Sequence, residues 1–573
     1  MKTSTITRLS LAAASLIAIA PLHADTINWT GGGCGTNWNE AANWGGILPG
    51  PTDEAKFTDT GLTAGRVIVL GAAQTNGSLL IDSTVDFTIG NAAGNTEGHT
   101  LTVTNVTRSS GSSGTQKITA DLALPNDTTW TIDGSDMLIA GKIAGDGAIN
   151  KLGAGELRLN NAHSSSRTGA TFVSQGMLSV AGSGRNEQGI KGGQLGAGDL
   201  LVGNGTDPAL FQLHYGNNWN FNLFGDDASI TVRNNAVLDL ETCYTAADGR
   251  TENISSLTVE AGGLAKFGKY TLYTGGYTTT NVMMKGGTIT GTEGFVSPVS
   301  GFIVVDPSAS EMSTISAKIK VSWKYSNGSL YTRFLIADLA GIPVDLKCTG
   351  AFVNLWDARD GFEKVGSGVM KITGGGTYGG KSTSEGVTRI KDGTLLVDNT
   401  SGSGTGKSYV SVSAGGTLGG TGAIGGLEAS PYANVSLAGA SDNPAILAPG
   451  SIDETTGDPI IGTLTVGSDT QTNNVTFDAY STLKINFDTN GNCDKLVVNG
   501  ALSLDSATDK LTLDIADYDA LKPGTYTLAT FTALATPGAK FDIVEKPARG
   551  TLAYTPTSIE YTVHPRGTVV VIQ

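Results

Sequence analysis

The chain has 573 residues, 80 of them Gly and only 17 Pro, with 16% charged and 39% apolar residues and a formal net charge of −15. Glycine at twice the usual ~7%, but without a three-residue period, excludes collagen, and the apolar share excludes a disordered polyelectrolyte. A pI near 4.8 with no basic block excludes nucleic-acid binding led by phosphate neutralisation. No stretch keeps an i, i+3, i+4, i+7 apolar stripe, so a large, glycine-punctuated all-β protein is expected.

Residues 1–24 read as a secretory leader. Lys2 and Arg8 supply the positive start, and Leu9–Ala20 is an apolar run too short to cross a bilayer. Leu22-His23-Ala24 is the favoured cleavage site; Ala18-Ile19-Ala20 fits better but would leave Pro21 behind the cut. No later run is long and apolar enough for a transmembrane helix. Cys34, Cys243, Cys348 and Cys493 lack metal-ligand spacing and allow three disulfide pairings; most are expected to stay unpaired and buried.

Residues 25–60 are rich in Trp and Asn. Trp29, Trp38 and Trp44 fit two readings: a hydrophobic cap over an open end, or a sugar-stacking platform with Trp38 and Trp44 as carbohydrate contacts. From 61 to 500 short strands recur behind a G-x-L-x-V pattern: Gly77–Ile81, Gly176–Val180, Gly393–Val397 and Gly462–Val466. Two longer units, 153–180 and 366–397, run from G-x-G-x-[LM]-x-[LI] to that pattern. Each alternates apolar with polar residues, the period of a strand with one buried face. Turns such as Ala261-Gly262-Gly263, Asp392-Gly393 and Ala414-Gly415-Gly416 stand just before strands, where glycine allows an abrupt corner.

A corner every few residues coils such a chain into stacked rungs, a right-handed parallel β-helix or β-solenoid. At roughly 20–25 residues per rung, some twenty rungs would make a rod on the order of 100 Å. A β-sandwich array is the alternative, with Asn76-Gly77 and Asp392-Gly393 as hairpin turns. Residues 302–365, with fewer glycines and with Trp323, Tyr325, Tyr331, Phe334 and Trp356, read as an insert. Residues 501–573 alternate cleanly and read as an antiparallel C-terminal cap on the last open rung.

The units at 153–180 and 366–397 resemble the autotransporter-associated β-strand repeat. So do Asn399–Gly406, Gly415–Gly425, Ala448-Pro449-Gly450, Asp494–Gly500 and Gly524–Leu528, and Trp29, Trp38-Asn39, Asn43-Trp44 resemble the segment that often opens such proteins. The first unit departs from the pattern, because Asn161-Ala-His163-Ser164 lacks the usual aromatic. The resemblance implies an exported β-helix passenger of the pectin lyase-like fold, extracellular or at the surface of a Gram-negative-type bacterium, with the periplasm as the alternative. It covers about a third of the chain. Fewer than a hundred residues follow the repeats before Val569-Val-Val-Ile-Gln573, so the C-terminal translocator barrel is not expected.

Other motifs are weaker. Gly420-Thr-Gly422-Ala-Ile-Gly425 matches G-x-G-x-x-G, but Pro431 follows where a helix should run, so a nucleotide site is not expected. Gly192–Leu201 loosely resembles one rung of a stacked calcium motif. Many β-helices act on polysaccharides; that alternative needs a groove holding two carboxylates about 5–10 Å apart, or Asp with Lys or Arg, on adjacent rungs. Asp226-Asp227, Asp357 with Asp360, and Arg389, Lys391 and Asp392 are the candidates, and they are scattered. His99, His163, His214 and His564 are isolated. The expectation is an exported structural or adhesive solenoid without catalysis or cofactor, its partners being surface glycans or other extracellular macromolecules. The alternatives are a β-helix carbohydrate-active enzyme or a carbohydrate-binding module.

Overall fold

The computed structural model describes residues 24–90, 98–160, 166–180, 195–213, 224–241, 250–268, 270–274, 282–291, 295–298, 301–322, 331–355, 357–427, 430–504, 507–515, 521–546 and 550–565. The leader up to His23, Cys243, His163, His214, Trp323, Tyr325, Trp356, Gly192–Gln194 and Val569–Gln573 lie outside them.

The chain forms a β-solenoid. Its second face is a ladder of nineteen strands that starts at Arg66–Val69, and its first face, which opens at Thr26–Asn28, belongs to a 27-stranded sheet. Neighbouring strands in both are parallel almost throughout, which disposes of the sandwich: Asn76-Gly77 lies inside the strand Gln74–Ile81, paired parallel on both sides. Register shows the repeat directly, because Met137 stands beside Leu157 and Ala423 beside Thr465, so successive rungs are offset by 20 to 42 residues. Nineteen levels at about 4.8 Å give a rod of about 90 Å. Among the described residues the one helical element is a 3-10 turn, Ala41–Trp44.

Alternation places every second side chain inside, and register stacks like on like. One inner column of the second face runs Phe87, Gln116, Met137, Leu157, Leu178, Phe211, Leu238, Ala265, Ile289, Ile315, Cys348, Ile372 and Val397. Each buried Leu, Ile or Phe in it contributes roughly 1.5–3 kcal/mol. Cys348 lies in this column as a free, buried thiol, and burial pushes its pKa up.

The corners explain the glycines. Gly176 (φ +68°) and Gly393 (φ +64°) hold matching places in the two repeat units, where a Cβ would lie 2.2 Å from the Gly153 carbonyl oxygen and 2.5 Å from that of Gly366. A feature not anticipated from sequence accompanies them. Lys151 and Lys364 project into the inner column of the first face, between Trp130 and Val173 and between Phe334 and Ile390. Lys151 donates to the carbonyls of Leu152 (2.9 Å), Gly153 (2.7 Å) and Gln175 (3.0 Å); Lys364 donates to those of Gly366 and Asp392 (2.9 Å). Each ammonium thus ties a corner to the corner one rung on. Burial lowers both pKa values to about 8.

Two expected boundaries shift. The described residues of 302–365 are rungs, not an insert: Phe302–Val305, Thr332–Ile336 and Phe362–Val365 continue the first face in parallel register. The large residues described there have a geometric cause. Between Arg250 and Asn354 a five-stranded third face widens the cross-section, and Phe334, Phe352, Phe362 and Tyr378 fill it with ring centroids 5.2–6.1 Å apart. Parallel rungs also continue past residue 500, since Lys510–Ile515 pairs with both Ser481–Phe487 and Ile543–Glu545. The antiparallel cap is Gly524–Leu534 with Ser558–Val563 and Gly550–Tyr554, which closes the first face.

Candidate functional site

At the N-terminal end, Asn43 organises the chain before the aromatic rings pack. Its buried Oδ1 accepts from Gly33 (2.9 Å) and Gly35 (3.0 Å), and its Nδ2 donates to the Asn37 carbonyl (2.9 Å). The 3-10 turn then sets Trp44 edge-on to Trp29 (5.0 Å) and Trp38 (4.9 Å), above Phe57 (5.4 Å). Trp38 is 0% exposed and Trp44 3%. This corrects the carbohydrate-contact assignment of Trp38 and Trp44: a stacking platform needs a bare ring face, and these rings cover the first rung instead.

The other sequence candidates stay apart. Asp226 and Asp227 are exposed at a turn. Asp357 is held by Arg359 (2.6 Å), and its backbone N–H donates to Asp360 (3.0 Å). Arg389 stacks on Tyr331 (4.1 Å), Lys391 pairs with Glu363 (3.4 Å), and Asp392 accepts from the amide that follows it (2.9 Å). Gly420–Gly425 forms corners around the strand Ala423–Ile424, not a helix. Asp199 of the calcium-like run accepts from the Ser229 amide (2.8 Å).

The constellation that sequence reading missed lies on the outer side of the second face. Register aligns Lys347, Lys371, Leu396, Gly419 and Ala448 in one outward column. The chain leaves that column at Gly450 (φ +94°), which exchanges backbone hydrogen bonds with Gly420 (2.6 and 3.0 Å). It then forms an antiparallel hairpin, Ser451–Ile452 against Pro459–Ile460. Asp453 shapes the tip by accepting from the amides of Thr455 and Thr456, both at 2.8 Å.

The hairpin turns back over the column. Glu454 accepts from Lys347 (2.7 Å) and pairs with Lys371 (3.2 Å); Lys371 also pairs with Asp398 (3.1 Å), which accepts from Ser451 and from the Thr421 amide (2.8 Å). The Lys371 and Asp398 side chains are only 9% and 8% exposed. Burial pushes the Glu454 carboxyl up, but its hydrogen bonds from the two lysines outweigh that and hold it below the usual carboxylate range. At the hairpin base Asp494 accepts from Gly462 (2.9 Å) and Asn486 (2.7 Å), yet burial raises its pKa to about 6.

Beside the hairpin runs a cleft of about 260 Å³ lined by Thr394, Leu396, Thr417, Ile446, Ile452 and Lys484, among others. Two carboxylates and two lysines, from adjacent rungs and the hairpin tip, thus meet next to a cleft. Each carboxylate in the cluster is occupied by donors, and Lys371 is enclosed by Asp398, Glu454 and the Ile452 carbonyl (3.4 Å). The sequence signal was weak: Glu454 lies 107 residues from Lys347, and no spacing rule links them. No family model matches the chain, and no curated protein matches it either.

Proposed function

We propose that this chain is an exported, right-handed β-solenoid with a structural or adhesive role at the cell surface or outside the cell, a passenger-type relative of the autotransporter-associated repeat proteins. The observation that carries the reading is the rod itself: unbroken ladders whose outer columns offer hydroxyls in register, such as Ser411, Ser436, Thr476 and Ser503. Such a surface meets glycans or other macromolecules by geometry and many weak polar contacts, without a catalytic centre. Fractionation of the bacterium that makes it, with protease treatment of whole cells, tests the assignment. Loss of the protein from intact cells is expected; a purely periplasmic, protease-resistant pool would overturn it.

The Lys371–Asp398–Glu454 cluster favours one second reading, a carbohydrate-active enzyme with Lys371 as base. Against it stands the enclosure of that lysine, which a substrate could reach only if the hairpin moved. Release of reducing ends or unsaturated products from polysaccharides, abolished by Lys371→Met, would establish it.

A further inference from the structure

In a solenoid each rung touches only its neighbours, so local opening of one rung is opposed by the two interfaces beside it. The hairpin 451–460 breaks that rule. It starts at the level of Ala448 and reaches Lys347, four levels back in the same outward column, a span of about 19 Å at the strand spacing. At its tip, a Cβ on Gly457 would lie 3.5 Å from the Pro343 ring, just ahead of the strand Leu346–Cys348.

We infer that this hairpin is a clasp that joins the rungs from Leu346–Cys348 to Ala445–Pro449 into one unit that opens together. Its fastening is the ion-pair cluster. Glu454 draws in Lys347 and Lys371 from adjacent levels, and Asp398 on the far side of Lys371 binds Ser451 at the hairpin's root. Of the ion pairs, only Lys371–Asp398 is made without the arm; the Glu454 contacts to Lys347 and Lys371 and the Ser451 bond to Asp398 exist only while it is down. Lifting it removes Glu454 from Lys347 and Lys371 and Ser451 from Asp398, so two ion pairs and a hydrogen bond are lost together. Opening any interface beneath the arm therefore also requires breaking the fastening. A rod that bears load along its axis gains from such a cross-tie where its rungs are otherwise held only in sequence. The inference holds whether or not the protein is displayed at the surface.

Hydrogen exchange of the full-length protein tests it. Glu454→Gln, which keeps the shape but removes the charge, should speed exchange by about tenfold in Leu346–Cys348, Val369–Ile372 and Gly393–Val397 together, with the N-terminal strands Glu54–Phe57 and Phe87–Gly90 unchanged. A second variant guards against a folding failure. The Gly457 Cβ position lies 3.6 Å from the Pro343 Cβ, within the range that a disulfide bridges, so Pro343→Cys with Gly457→Cys should cross-link on oxidation. Comparing its oxidised and reduced forms should show slower exchange in the same three strands when the arm is locked. Unchanged exchange in Glu454→Gln, a cysteine pair that does not cross-link, or a cross-link without effect on those strands would each overturn the clasp.

Discussion

The buried lysines are where single residues most directly couple sequence to stability. Lys151 and Lys364 each place a full charge in the apolar interior, and backbone carbonyls at two consecutive corners hold it there. Burial lowers both pKa values from 10.5 to about 8. Between those values the unfolded chain holds more protons than the folded one, so stability rises with pH across that window, by at most about 1.4 kcal/mol per pH unit for each lysine. Urea unfolding of the wild type from pH 8 to 10 should show this rise, and Lys151→Met with Lys364→Met should flatten it. A Lys two positions ahead of Gly153 and of Gly366 immediately precedes both repeat units and is the available sequence signal. A lysine at an inward position contradicts simple apolar–polar alternation, so alternation alone does not point to it.

At the scale of the element, the corner decides whether two strands can stack. Gly393 has φ +64°, and a Cβ there would meet the carbonyl oxygens of Gly366 and Gly368 and the Lys364 ammonium at 2.5–2.6 Å. Gly538 has φ +84° with nothing within 4 Å. Gly538→Ala should therefore cost only the left-handed penalty, about 1–2 kcal/mol. Gly393→Ala should cost clearly more, because the corner must open and the lysine lose its carbonyls; the difference in denaturation midpoint between the two variants checks this. The first turn of the chain obeys the same logic with rings in place of glycine. Trp38→Ala or Trp44→Ala should cost about 3–5 kcal/mol locally. Limited proteolysis should then cut first within residues 25–60, leaving the later rungs intact. If either variant instead lost glycan binding with the N-terminal end still resistant, the cap assignment would fail.

At the scale of the molecule, the stack is long and mostly coupled from neighbour to neighbour, with three departures that each alter its mechanics. The third face between Arg250 and Asn354 thickens the rod, the antiparallel cap closes the first face at its end, and the 451–460 hairpin ties levels that would otherwise be independent. The surface role proposed for the rod depends on length and outward chemistry, while its persistence depends on these reinforcements. Protease treatment of whole cells reads the first, and hydrogen exchange of the clasp variants reads the second.

The all-β coil, its corners, its aromatic N-terminal end and its antiparallel C-terminal cap follow from local patterns: period-two alternation, paired glycines before strands, and clustered Trp with Asn. These patterns act over a few residues, so they are readable along the chain. The third face, the aromatic core of residues 302–365 and the meeting of Lys347, Lys371, Asp398 and Glu454 are not local. Rung length varies from 20 to 42 residues, so no fixed period shows which outward residues share a column. Only the folded register sets that, because backbone pairing between rungs, rather than spacing within them, places one side chain above another.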